Sequence, residues 1–254
     1  MGKNLHQIIV QDYVKEYPQM IQIFIYHKPY LQYETNHKKP TKQQTTEQSI
    51  HRSVRRTRST ISDIVLCNKF DMWCTFTFDK LKHDRYDIAH CKSTMNLWLH
   101  RQQVRSDDFS YLIVPELHKD GALHFHALLR GYNGPLRATK QRTKTNKLTI
   151  HKITGYRAGN AQAVILDGNY DAIIGYLQKY IQKDMPLLHG KKRFWSSQSL
   201  NKPTITQNGI FKFNLQNIIR NHPHYTVNSQ YEKQIHKKGN NIPLTRYFLS
   251  LIHI

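Results

Sequence analysis

The sequence predicts an α+β fold: an antiparallel sheet of about five strands with helices packed on it. Three observations lead there. The segments with clear periodicity run helix, strand, helix, hairpin, strand, strand, helix, which is not the regular alternation of a parallel sheet. His118-Lys119-Asp120-Gly121 separates two apolar runs, and Asp-Gly in that setting is a strong hairpin signal. The 254 residues contain no GxxxxGK[ST] loop and no internal repeat, which excludes a fused P-loop motor and a solenoid.

Taken in order, residues 1–48 are polar around one apolar patch, Ile21-Gln22-Ile23-Phe24-Ile25-Tyr26, and read as an N-terminal extension with one strand, ending in a linker from Asn36 to Gln48. A helix fits Ile50 to Leu66, because Ile50, Val54, Ile61, Ile64 and Val65 share one face while Arg52, Arg55 and Arg58 point elsewhere. Phe70 to Asp79 is aromatic and β-branched, hence a strand. Asp87 caps a second helix running to Gln103, whose buried stripe is Ile88, Cys91, Met95, Trp98 and Leu99. Tyr111–Leu117 and Ala122–Leu129 form the hairpin, and further strands fall near Leu148–Ile153 and Ala161–Leu166. A last helix spans Tyr170 to about Asp184, where Pro186 helps to stop it. Three parts result: the extension 1–48, a domain 49–203, and a basic tail 204–254 with only vague strand signals.

Charge bounds the function. Lys and Arg number 38 against 17 acidic residues, a formal net charge of +21. Arg130 to Asn160 holds eight basic residues and no acidic one, and from Met185 onward ten basic residues face only Glu232. Two nearly acid-free stretches in one chain favour a surface that tracks phosphates, although any one such run could be a plain solvated face. The candidate polyanion contacts are Arg130, Arg137, Lys140, Arg142, Lys144, Lys147, Lys152 and Arg157, then Lys191, Lys192 and Arg193. No apolar run approaches the roughly 18 to 20 residues of a membrane span. Three cysteines without a CxxC pair argue against a disulfide framework or a zinc finger. The expected setting is the cytoplasm.

The chemistry-bearing residues come in two groups. His124-Phe125-His126 lies on the second hairpin strand, so both imidazoles share a face opposite Leu123, Phe125 and Ala127. With a Lys119-Asp120-Gly121 loop and Gly121 left-handed, Glu116 falls opposite His124. Two imidazoles and a carboxylate suit a divalent ion such as Mn2+ or Mg2+ with open positions for phosphate and water. A bare His-x-His is more often two surface histidines; Glu116 in register is what weakens that reading. Tyr176-Leu177-Gln178-Lys179-Tyr180-Ile181-Gln182-Lys183 contains two overlapping YxxK units. Ile173, Ile174, Leu177 and Ile181 make its buried face, and Tyr176 and Tyr180 are neighbours at i and i+4. A tyrosine hydroxyl is a weak nucleophile unless cations stabilise its phenolate, and Lys179 and Lys183 stand close enough in sequence to do so.

Trp73-Cys74-Thr75-Phe76-Thr77-Phe78-Asp79, then Glu116 with His124-Phe125-His126, then Tyr176 to Lys183, resemble the three ordered motifs of the HUH (His–hydrophobe–His) endonucleases. More narrowly they resemble the rolling-circle replication initiators of single-stranded DNA phages and small bacterial plasmids. The resemblance runs from about Arg52 to Pro203 and includes Val114–Gly121 and Lys191–Trp195. It implies the HUH endonuclease fold, a metal-dependent nick at an origin, a covalent 5′-phosphotyrosine and a free 3′-OH, with later rejoining of the strand. By position, Glu116, His124 and His126 would hold the metal, and Tyr176 and Tyr180 match the paired-tyrosine form, steadied by Lys179 and Lys183. Tyr176 is the expected first nucleophile, because Tyr180 lies nearer the apolar stripe. The first motif departs from the family pattern, reading Thr-Phe-Thr-Phe for Thr-Leu-Thr-Phe. The expected partners are single-stranded origin DNA and a separate helicase and polymerase, with no membrane. The alternatives are an HUH transposase or relaxase, and a non-enzymatic single-stranded nucleic-acid-binding protein that would need none of the histidines and tyrosines.

Overall fold

The computed structural model describes residues 7–9, 13–26, 31–33, 47–145, 147–166, 168, 170–181, 192–207, 215–237 and 240–251. The first strands are β1 (Gln7–Ile9), β2 (Tyr13–Tyr17), β3 (Met20–Tyr26) and β4 (Leu31–Tyr33). Then come α1 (Glu47–Cys67), β5 (Met72–Thr77), α2 (Ile88–Arg105), β6 (Ser110–Leu117), β7 (Leu123–Arg130), β8 (Leu136–Arg142), β9 (Thr149–Ile153) and β10 (Ala161–Ile165). The chain closes with α3 (Tyr170–Gln178), β11 (Trp195–Ser196), β12 (Thr204–Gln207), α4 (Leu215–Asn221), β13 (Tyr225–Lys237) and β14 (Asn240–Leu251). The protein is therefore α+β, as its sequence predicts, and it divides into two compact units: Thr45–Asn201, and Met1–Gln44 with Lys202–Ile254.

In the Thr45–Asn201 unit the sheet has seven antiparallel strands in the order β11-β6-β7-β5-β10-β9-β8, two more than the five expected. The additions are edge strands. β11 is only two residues long, and β8 (LRATKQR) carries polar side chains at most positions, so neither shows the apolar run that marks a strand in sequence. Each central strand alternates between two faces. Met72, Cys74, Phe76, Phe125, Ala127 and Leu129 turn toward α2, where Cys91, Met95, Trp98 and Leu99 close the larger core. Leu112, Val114 and Leu128 turn the other way, under Val54, Ile61, Ile64 and Val65 of α1 and Ile173 and Leu177 of α3. The Asp87 carboxylate accepts from the amides of Ala89 and His90 at 2.7 and 3.2 Å, the cap expected for α2.

The β6–β7 hairpin has the expected register. Glu116 pairs with His124 and Leu117 with Leu123, and Gly121 adopts a φ of +83°. The Asp120 carboxylate accepts from the Ala122 amide at 3.1 Å and so locks the loop. Helix α3 stops at Gln178, short of the expected Asp184. Its end tightens: Lys179, Tyr180 and Ile181 donate to the carbonyls of Tyr176, Leu177 and Gln178, each three residues back. Residues 182–190 lie outside the described residues, and so do Lys183 and Lys191. The Arg58 guanidinium on α1 donates to the Ile181 carbonyl at 3.2 and 2.9 Å, and Gln178 Nε2 donates to Ser62 Oγ at 3.0 Å, so α1 fixes where the end of α3 lies.

The segments read from sequence as a separate extension and tail instead pair with each other. The second unit holds a five-stranded antiparallel sheet, β12-β2-β3-β14-β13, in which β3 pairs with both β2 and β14. The apolar patch at 21–26 is its central strand. Ile21, Ile23 and Leu249 are buried beside Val14 and Ile218, and the Phe24 ring stacks on Tyr13 at 4.2 Å with the Arg246 guanidinium 4.7 Å from its centroid. Among the described residues no helix is long and apolar enough to cross a membrane.

Candidate active site

The site grows from the alternation of β5 and β7. Thr77 pairs with His124 and Thr75 with His126, so on the α1/α3 face the chain lays down two rows, Glu116–His124–Thr77 and Val114–His126–Thr75. Diagonal neighbours on one sheet face are within reach of long side chains. Glu116 uses that reach: its Oε2 lies 2.6 Å from His126 Nε2. On the other ring nitrogen, His126 Nδ1 lies 3.3 Å from Thr75 Oγ1. His126 is 5% exposed, so both nitrogens of a buried imidazole are engaged and its orientation is set.

Helix α3 brings the tyrosines onto this face. The Tyr180 ring stacks on His126 with centroids 3.7 Å apart and planes at 23°. Trp73, the residue before the buried Cys74, fills the corner: it meets Tyr176 edge-on at 4.8 Å and faces His126 at 5.5 Å. Tyr176 and Tyr180 meet edge-on at 5.4 Å, as their i, i+4 spacing requires. The two phenols differ in environment. Tyr176 is 43% exposed, whereas Tyr180 is half-buried. Burial first, then a hydrogen bond to Tyr176 and the nearby Tyr176 and Glu116 charges, push the Tyr180 hydroxyl far above its ordinary value, so it stays protonated. Lys179 Nζ lies 5.3 Å from the Tyr176 ring centroid, a cation beside the exposed phenol.

His124 stands toward the hairpin end. Its ring stacks on His118 at 5.0 Å. Burial and the neighbouring His118 lower its pKa, against an opposing pull from Glu116, so it favours the neutral imidazole. Among the described residues no three His, Cys, Asp or Glu side chains are arranged as a metal-binding set. The structure thus joins Glu116 to His126 and sets His124 against His118. In kind the three donors suit a divalent ion, since they share one sheet face and His124 is held neutral. An ion bound there would take the place of the Glu116–His126 contact.

The basic candidates separate. Arg137, Lys140, Arg142, Lys144, Lys147 and Arg157 are exposed, the first three on edge strand β8, while Arg130 and Lys152 are half-buried. Lys192 is exposed. Arg193 is not on the surface expected of it: it is 5% exposed, with its Nε 3.5 Å from Ser53 Oγ on α1, and it packs in the interior. Trp73 and Thr75 lie in the first motif read from the sequence, where neither has a role at the site; the alternation of β5, which turns Met72, Cys74 and Phe76 to the other face, is the signal that places them on the histidine face.

Residues 71–185, from the start of β5 past the two tyrosines, match the family model described as replication-associated protein ORF2/G2P. No curated protein and no solved structure gives a significant match to the chain.

Proposed function

We propose that the Thr45–Asn201 unit is a replication initiator that nicks single-stranded origin DNA by tyrosine attack and later rejoins the strand. The observation that carries the reading is the stack of Tyr180 on the Glu116-bound His126 at 3.7 Å, which puts two tyrosines beside the histidine face within the replication-associated match.

Tyr176 is the attacking group. It is the exposed phenol, it has Lys179 beside it, and Tyr180, kept protonated, is a hydrogen-bond donor to its oxygen. The Tyr176 oxygen loses its proton and bonds to phosphorus as the P–O3′ bond breaks. The products are a 5′-phosphotyrosine and a 3′-oxygen that takes up a proton. One phosphoester replaces another, so no energy source is consumed and the reverse reaction rejoins the strand. Glu116 and His126, with His124, would hold a divalent ion, which when bound polarises the scissile phosphate. The exposed arginines and lysines of β8 and its turn hold the strand by charge.

The test is an adduct that survives SDS. Full-length protein with Mn2+ and single strands from its own replicon is expected to give one. Absence of an adduct with every strand tried, by protein that still binds them, would sink the reading. It would then favour the non-enzymatic single-strand binder.

A further inference from the structure

We infer that Thr75 is a positioning residue for His126: its hydroxyl stays bonded to Nδ1 in either tautomer of the ring, which lets Nε2 exchange the Glu116 carboxylate for a divalent ion. This rests on the proposed reading of Glu116, His124 and His126 as the residues that hold that ion.

Two contacts decide which ring nitrogen carries the proton. An ionised carboxylate only accepts, so with Glu116 Oε2 2.6 Å away His126 Nε2 must be an N–H. In the neutral ring Nδ1 is then an acceptor, and the Thr75 hydroxyl, with its Oγ1 at 3.3 Å, is the donor that meets it. A divalent ion needs the opposite tautomer, because an imidazole binds metal through a lone pair. With an ion in place of the Glu116 contact, the ring keeps one proton, now on Nδ1. A hydroxyl both donates and accepts, so Thr75 has only to turn its hydrogen away to receive the Nδ1–H. A group able only to donate, or only to accept, would serve one state and leave a nitrogen unpaired in the other. His126 is 5% exposed, so water is a poor substitute there.

The sheet fixes this pairing. Thr75 on β5 stands directly opposite His126 on β7, and a β-branched side chain on a strand is stiff at χ1. Thr77 stands in the same relation to His124, yet its hydroxyl donates to the Asn160 carbonyl at 3.1 Å. A threonine opposite a histidine therefore does not bond the ring as a matter of course. The ring that receives a hydroxyl is the one that Glu116 and Tyr180 also hold.

The test reads the ring and the ion without DNA. In full-length protein with isotope-labelled histidine, NMR is expected to find His126 as the Nε2–H tautomer without an ion and as the Nδ1–H tautomer with saturating Zn2+, a diamagnetic ion. Thr75→Val, which swaps the hydroxyl for a methyl of similar size, is expected to weaken Mn2+ binding about tenfold or more by calorimetry. Thr75→Ser, which restores the hydroxyl, is expected to stay within about threefold of the wild type. If the valine variant does not fold, Thr75→Ala takes its place and is expected to weaken Mn2+ binding as much. An unchanged Mn2+ affinity without the hydroxyl, a serine variant as weak as the valine one, or a His126 that keeps its Nε2 proton in saturating Zn2+ would overturn the role of Thr75. The adduct assay separates this role from the nicking. A wild type that forms no SDS-resistant adduct while Thr75→Val loses Mn2+ affinity would sink the nicking and keep the role; an adduct beside an unchanged affinity would do the reverse.

Discussion

On β5, Met72, Cys74 and Phe76 turn toward α2, while Trp73, Thr75 and Thr77 turn toward α1 and α3. Two faces of one strand thus bury very different things. The α2 face is aromatic and dry: Phe76 meets Trp98 and Tyr156 at 5.1 Å each, and burial pushes the Cys91 thiol up to about 11. The α1/α3 face is apolar through Leu112, Val114 and Leu128, turns polar within the Val114–His126–Thr75 row, and is polar throughout the next row, Glu116–His124–Thr77. The difference teaches where the strand can change without loss. A side chain on the α2 face answers to packing, whereas one on the other face answers to the hydrogen bonds and rings it places beside the tyrosines.

Substitutions sharpen that contrast, and the largest effect belongs on the dry face. Phe76→Ala removes a ring with no exposure and is expected to cost about 3–5 kcal/mol, measured as a lowered denaturant midpoint. A loss below about 1 kcal/mol would show the α2 face to be loosely packed. Tyr176→Phe removes one exposed oxygen. It is expected to leave stability within about 1 kcal/mol and to cut first-strand adduct formation by about a thousandfold or more, while Tyr180→Phe stays within about tenfold of wild type. The reverse ranking would make Tyr180 the attacking group.

Smaller effects probe the polar row. Glu116→Gln replaces the charged partner of His126 with a neutral one, and because the Glu116 side chain is 36% exposed the expected loss is about 1 kcal/mol. The loss is readable in melting temperatures, and a variant as stable as the wild type would show that the contact to His126 adds nothing. The last test is a titration. His124 has a folded-state pKa below the ordinary histidine value of 6.5, so the stability linked to it is present above that value and lost as the pH falls through the folded-state one. His118→Ala removes the second cause of that depression and is expected to move the His124 ring-proton titration upward in NMR; an unmoved midpoint would leave burial and the neighbouring His126 as its causes.

Much of this was legible because it is local. Period-2 and period-3.6 patterns marked β5, β6, β7, α1 and α2 to within a few residues, and Asp120-Gly121 set the hairpin register that brings Glu116 opposite His124. Edge strands were missed where side chains meet solvent and need no apolar pattern, as on β8. The end of α3 was overrun because the helical periodicity of Leu177 and Ile181 continues past Gln178, while Arg58 on α1 captures the Ile181 carbonyl and the last turn tightens. Arg193 was assigned to the surface because charge alone does not reveal that Ser53 and the interior receive it.

The sequence by itself determined the α+β class, the hairpin register, and the sharing of one face by His124 and His126, since each follows from periodicity or turn chemistry within a few residues. Only the tertiary structure decided which partner each group takes. It gave His126 to Glu116, Thr75 and Tyr180, and His124 to His118. It also paired segments more than 200 residues apart, β3 with β14, into one sheet. Those outcomes depend on contacts between residues distant in the chain, and a local pattern carries no record of what will be packed against it.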